Sequence, residues 1–160
     1  MRALDLYRTL DQSDWEADAL NAVGWFAARL GDFDTAREHC QAALTSHQHH
    51  HDHDGEAAAL DSLGFIAHST GDDRRAVEYY HRSLTLLRAD GQSYQIAGTL
   101  DNVGHPHAAL GQHAQAREVW REALRLYREQ GRDADVERVQ RQLDLLATTV
   151  DMYRGGPGPT

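Results

Sequence analysis

The chain has 160 residues, 41% of them hydrophobic, with 16 basic side chains against 25 acidic ones and a formal net charge of −9. A chain this long suits one domain, and its acidic balance argues against binding nucleic acid or an anionic membrane surface. A single cysteine excludes an internal disulfide framework and suits a reducing, cytoplasmic setting, and no apolar run is long enough for a membrane span or a signal peptide.

Taken in order, residues 1–10, MRALDLYRTL, line up with the end of a later helix, because Ala3 and Leu4 fall forty residues before Ala43 and Leu44. Residues 1–12 are therefore expected to be the tail of a preceding helix. The chain would then be a piece of a longer protein, or open with a half-repeat acting as a lid. Ser13-Asp14-Trp15-Glu16 has the form of a capping box, which predicts a helix start at Ser13. That helix, A1, should run to about Leu30, followed by B1 from about Phe33 to His47. A2 is expected over about 54–70, B2 over 73–89, A3 from a Ser93 cap, and B3 over 113–130. Asp133 should cap a last helix ending near Thr149, with Leu143, Leu145 and Leu146 covering the open end of B3. The Gly/Pro-rich tail 150–160 is expected to be disordered.

The same skeleton recurs with a period of 40. Leu20, Leu60 and Leu100 share one column, then Val23, Leu63 and Val103, then Gly24, Gly64 and Gly104. Gly31, Gly71 and Gly111 follow, and Ala36, Ala76 and Ala116 come after them. Such a period marks a solenoid. Leu20, Val23, Gly24 and Ala27 form one helical stripe, and Ala36, Cys40, Ala43 and Leu44 its counterpart on the next helix. A mid-helix Gly costs about 1 kcal/mol against Ala, so three in one column predict a close approach of two helices. The second Gly column fits helix C-termini, and Asp32 and Asp72 fit N-caps. Cys40 shares a column with Tyr80 and Trp120 and reads as core, with no base to make it a nucleophile.

These residues resemble the tetratricopeptide repeat: L-x-x-[VL]-G, then G-[DQ], then the Ala and Ala/Ser-Leu columns, over roughly 3–148. The usual repeat has about 34 residues and a Pro after its second helix; here the period is 40 and that Pro is missing. The texture of LGDFDTAREHCQAAL is similar to bacterial peptide-sensing regulators. It is closer still to the C-terminal regions of actinobacterial transcriptional regulators, of the Streptomyces antibiotic regulatory protein type and of nucleotide-switch ATPases. The resemblance implies an all-α fold, a right-handed α-solenoid of stacked antiparallel helix pairs. It would comprise about three full repeats (13–52, 53–92, 93–132) within a domain over 13–148, plus a capping helix over 133–149. It implies a non-enzymatic scaffold that binds a protein or peptide in a concave groove lined by the A helices.

Beside the packing stripe lies a second one: Asn21, Trp25 and Ala28, then Asp61, Phe65 and His68, then Asp101, His105 and Ala108, with Asn102 next to Asp101. Short polar side chains can bond the backbone of a bound segment, and the aromatics can form pockets; alternatively the aromatics simply close the A-helix layer. Two stretches depart from the repeat. In HQHHHDHD (47–54), His47, His50 and His51 have helical spacing for one metal ion, or form a group charging together in mild acid. The plainer alternative is a solvated turn that takes up zinc or nickel adventitiously and has no resident cofactor. In GHPH (104–107), Pro106 falls inside a helix and should kink or split it near 102–106, with His105 and His107 at the wall. Three functions stay open: a peptide-binding sensor of a regulator, a structural or homo-oligomerising segment, and a metal- or pH-responsive element at 47–53. No nucleophile–base pair, phosphate loop or convergent carboxylates point to an enzyme.

Overall fold

The computed structural model describes residues 2–154, with side chains placed over 15–149 and at Met152. Its helices are α1 (Arg2–Arg29), α2 (Phe33–His50), α3 (His53–Ser69), α4 (Asp73–Ala89), α5 (Ser93–Ala109), α6 (His113–Glu129) and α7 (Asp133–Arg154). Among the described residues there is no strand. The architecture is an all-α helical repeat of the solenoid class, and no described helix is long and apolar enough to cross a membrane. The chain divides into two compact units, residues 1–91 and 92–160.

Turn chemistry explains the helix ends. Gly31, Gly71 and Gly111 close the turns within pairs α1–α2, α3–α4 and α5–α6, with φ of 85°, 84° and 73°, a region in which a Cβ is strained. Asp32 and Asp72 then accept the amides of Thr35 and Arg75 at 3.3 and 3.2 Å, taking up orphan N–H groups of α2 and α4. Between pairs, Gly91, Gly131 and His51 occupy the left-handed region, His51 at φ 57°. Position 11, in the same register, is Asp11 and lies inside α1.

That accounts for one correction. The helix expected to start at Ser13 runs unbroken from Arg2, with no left-handed turn residue between. At the other end α7 continues past Thr149 to Arg154, so the expected disordered tail is helical over 150–154, and residues 155–160 lie outside the described residues. Pro106 also fails to split its helix: α5 is continuous over Ser93–Ala109, with Pro106 buried in it and its own carbonyl accepting the Leu110 amide at 3.0 Å. At the end of α7 Leu146 is buried and Leu143 half-buried, while Leu145 is 68% exposed and covers little of α6.

The glycine column does what its spacing implies. A Cβ at Gly24 would overlap Cys40, one at Gly64 would meet the Tyr80 ring at 2.8 Å, and one at Gly104 would meet the Trp120 ring at 2.7 Å or closer. Each A helix thus lies on a buried side chain of its B helix. In the first unit Cys40, Ala43, Leu44, Ala59, Leu60, Leu63 and Ile66 form the core, with Leu20 and Ala27 against it. In the second unit Leu100, Val103, Ala116, Ala123, Leu124, Tyr127 and Val139 are buried. Val23 departs from its column. It is 51% exposed, against 2% for Leu63 and 0% for Val103. Trp15 and Phe26 are exposed on the same helix, and Leu30 just after it.

Candidate functional site

In the first unit, α1 and α3 bring the two aromatics of the predicted stripe together. Trp25 and Phe65 are half-buried, with ring centroids 5.0 Å apart and a tilt of 57°. Phe65 packs against the core at its base, and Arg29 lies over the Trp25 ring at 5.8 Å. Neither ring is sunk among helices and neither is fully open. Asn21, one turn before Trp25, is half-buried, and its Oδ1 is shielded from solvent with no hydrogen-bond partner. An amide oxygen in that state has a hydrogen-bonding capacity that neither the fold nor water fills. Asp61 is half-buried on the same stripe. His68 belongs to the fold: its Nδ1 pairs with Asp73 Oδ1 at 2.5 Å across the turn.

The second unit holds the rest of the stripe, and here the structure overturns an expectation. Asp101 is 3% exposed and faces inward. Its Oδ2 accepts from the Tyr127 hydroxyl at 3.3 Å and from Arg138 at 2.7 Å, while its Oδ1 is buried without a partner. Burial pushes this carboxyl above the usual carboxylate range, against the opposing pull of Arg138 and Tyr127. Asp101 therefore joins α7 to the α5–α6 pair and is not open to a ligand. The missed signal was Arg138, 37 residues away on the last helix.

Asn102 is half-buried. His105 packs edge-on to Trp120 at 5.4 Å, with Gln142 Nε2 at 3.2 Å from its Nε2. It lines a shallow cavity of about 450 Å³ with Trp120, Gln142, Leu145 and Leu146. His107, expected at a groove wall, is buried instead and donates Nδ1–H to Gln112 Oε1 at 2.6 Å.

The histidine tract is not assembled as its spacing suggested. His51 is the exposed left-handed cap of α2. His50 gives Nδ1–H to its own helix, to Ser46 O at 2.8 Å, and stacks edge-on with His49. His47 turns inward, with Nδ1 at 2.8 Å from Asp52 Oδ2. Among the described residues the group with metal-ligand spacing is Asp18, His47 and Asp52, with ligand atoms within 4.8 Å of one another. Helical spacing alone missed it, because Asp18 comes from α1 and Asp52 from the α2–α3 turn. Cys40 is buried, and burial raises its thiol to about 11 despite a contact with Ser62.

Two family profiles, both described as tetratricopeptide repeat, match residues 15–89 and 96–129, between them more than half of the chain. No curated protein matched the chain. Among solved structures, the crystal structure of BtubC (BKLC) from P. vanneervenii superposes with a TM-score of 0.65 at 19% identity, covering 92% of this chain and 69% of that one, a likeness of fold. With its repeating columns, paired helices and glycine contacts accounted for, the chain belongs to the tetratricopeptide repeat family.

Proposed function

We propose that this chain is a non-catalytic, cytoplasmic scaffold that binds a peptide segment of another protein along α1 and α3. Tetratricopeptide repeats generally mediate protein–protein interaction. The observation that carries the reading is the Trp25–Phe65 pair, half-open to solvent, beside the unpaired acceptor of Asn21. An aromatic pair supplies an apolar anchor point, and a neighbouring amide oxygen fixes the register of a bound backbone. Peptides selected from a random library against the folded chain should lose about thirtyfold or more in affinity with Trp25→Ala or Phe65→Ala, in line with about 2 kcal/mol for an anchor. Asn21→Ala should cost less. Selected peptides that bind all three variants unchanged would overturn the assignment.

The sequence texture of 30–44 supports a finer setting, the partner-sensing part of a bacterial transcriptional regulator. Unchanged transcript levels after deletion of the gene would remove it. A second reading, self-association, is favoured by the exposed apolar row of Trp15, Val23 and Phe26 on α1 and Leu30 just beyond its end. Counterparts of its middle members in later repeats, Leu63, Ile66 and Val103, are buried. A second copy could present the same row in an isologous pair. Solution mass decides: a dimer that Phe26→Glu converts to monomer supports it, and a monomer at all concentrations removes it.

A further inference from the structure

His47 is 1% exposed, and both of its ring nitrogens face carboxylates from other elements. Nδ1 meets Asp52 Oδ2 at 2.8 Å. Asp52 is also the N-cap of α3, with Oδ1 accepting the Gly55 amide at 3.1 Å. Both of its oxygens therefore act as acceptors, and an ionised carboxylate has no hydrogen to give. The hydrogen on this contact must sit on His47 Nδ1, and the neutral ring then carries its lone pair on Nε2.

That nitrogen is the anomaly. Nε2 is buried, has no hydrogen-bond partner, and lies 3.7 Å from Asp18 Oδ1. A lone pair and a carboxylate facing each other repel unless a second ring proton or a cation sits between them, and a buried polar atom left in that state is costly. The separation helps choose the occupant. A water donating to both atoms through bonds of about 2.8 Å at a tetrahedral angle would hold them roughly 4.5 Å apart. A zinc ion with bonds of about 2.0–2.1 Å to nitrogen and oxygen spans 3.7 Å at roughly 130°, a widened tetrahedral angle.

We propose that Asp18 and His47 Nε2 bind a zinc ion, with Asp52 orienting the imidazole from behind. Histidine ligands to zinc characteristically donate their other ring N–H to a carboxylate, which fixes the tautomer and raises the basicity of the ligating nitrogen. Asp52 stands in that position. Gly55 gives the ring its seat, since a Cβ there would overlap His47 Nδ1. The Asp18 side chain is 73% exposed, so the remaining coordination positions open to water. The site joins α1 to the α2–α3 turn.

The test is calorimetric titration of zinc chloride into the metal-stripped full chain, in a background of His49→Ala, His50→Ala, His51→Gly and His53→Ala so that the surface tract contributes nothing. One zinc per chain is expected, and nitrogen-15 shifts should show the metal on His47 Nε2 with Nδ1 still protonated. Asp18→Asn removes an exposed ligand without disturbing the core, so it should fold normally and weaken binding about tenfold or more; Asp52→Asn should weaken it by about ten- to a hundredfold. Three results overturn the proposal: zinc affinity unchanged by Asp18→Asn, zinc binding that vanishes in the background lacking the tract histidines, or a His47 ring protonated on both nitrogens in the presence of zinc.

Discussion

Two glycines on α5, six residues apart, should respond to the same substitution with opposite signs. Gly98 has nothing within 4 Å of where a Cβ would stand, so Gly98→Ala adds a methyl to open space. The helix gains the usual preference for Ala over Gly, about 0.5–1 kcal/mol. At Gly104 the new methyl would lie 2.7 Å from Trp120 Cδ1 and closer still to Nε1 and Cε2. Ordinary carbon contacts need about 3.5–4.0 Å, so the indole would have to retreat by an ångström or more. It has nowhere to go. Its Nε1 donates to Asp101 O at 3.0 Å in the interior, and His105 packs on its ring. Overpacking of this kind costs about 1–3 kcal/mol, and loss of the buried indole hydrogen bond adds about 1. After the helix-propensity gain of about 1 kcal/mol is subtracted, Gly104→Ala should destabilise by about 1–3 kcal/mol. Urea unfolding followed by circular dichroism measures both variants, and near-ultraviolet dichroism reports the Trp120 environment. Equal stabilities for the two would refute the claim that the glycine column exists for helix approach.

Other expectations follow from single groups. Asp101, with its carboxyl held above its unfolded value by burial, binds its proton more tightly folded than unfolded, so its charge costs stability at neutral pH. As pH falls from the raised folded value toward about 3.8, wild type should gain stability relative to Asp101→Asn; parallel pH–stability curves would contradict this. Cys40, buried with its thiol raised to about 11, should react with a thiol reagent at mildly alkaline pH only as fast as the α1–α2 pair opens, and denaturant should accelerate labelling by orders of magnitude. His51→Gly should stabilise by about 0.5–1 kcal/mol, because His51 sits at φ 57° where later repeats carry glycine; a lower melting temperature would show that the imidazole contributes something at the cap.

The fold was legible wherever a job belongs to one column. Gly24, Gly64 and Gly104 announced helix approach, Gly31, Gly71 and Gly111 announced turns, and Asp32 and Asp72 announced caps; each is set by local backbone geometry. Partner choice over long separations was not legible. Asp101 shares a stripe with Asn21 and Asp61, and only Arg138 arriving from α7 turns it into an internal ion pair. Val23 matches Leu63 and Val103 in type, yet burial needs a neighbouring helix as well as an apolar side chain, and among the described residues Val23 stays 51% exposed. Pro106 shows the converse. Its local penalty predicted a kink or a split, and α5 does not split, with Pro106 on a buried face. The half-buried state of Trp25 and Phe65 fell between the two sequence alternatives, since periodicity places a side chain on a face but does not say how much of it the next helix covers.

The histidines make sense as turn fasteners. His47–Asp52, His68–Asp73 and His107–Gln112 each join the last turn of one helix to the first residues of the next, through Nδ1 and a partner five residues on. An imidazole near a helix C-terminus and an acid near an N-terminus sit where the helix dipoles favour them. Gln112 keeps the acceptor and drops the charge, so what the turn requires is a hydrogen bond of that geometry. His68 and His107 fasten turns within helix pairs, whereas His47 fastens the turn between two pairs, with Asp18 reaching it from α1. The two nitrogens of His47 therefore have separable duties: Nδ1 closes the turn through Asp52, and Nε2 is left for α1. Asp18→Asn should leave the turn closed and weaken only the tie to α1, so that zinc raises the melting temperature of the wild-type chain more than that of the variant.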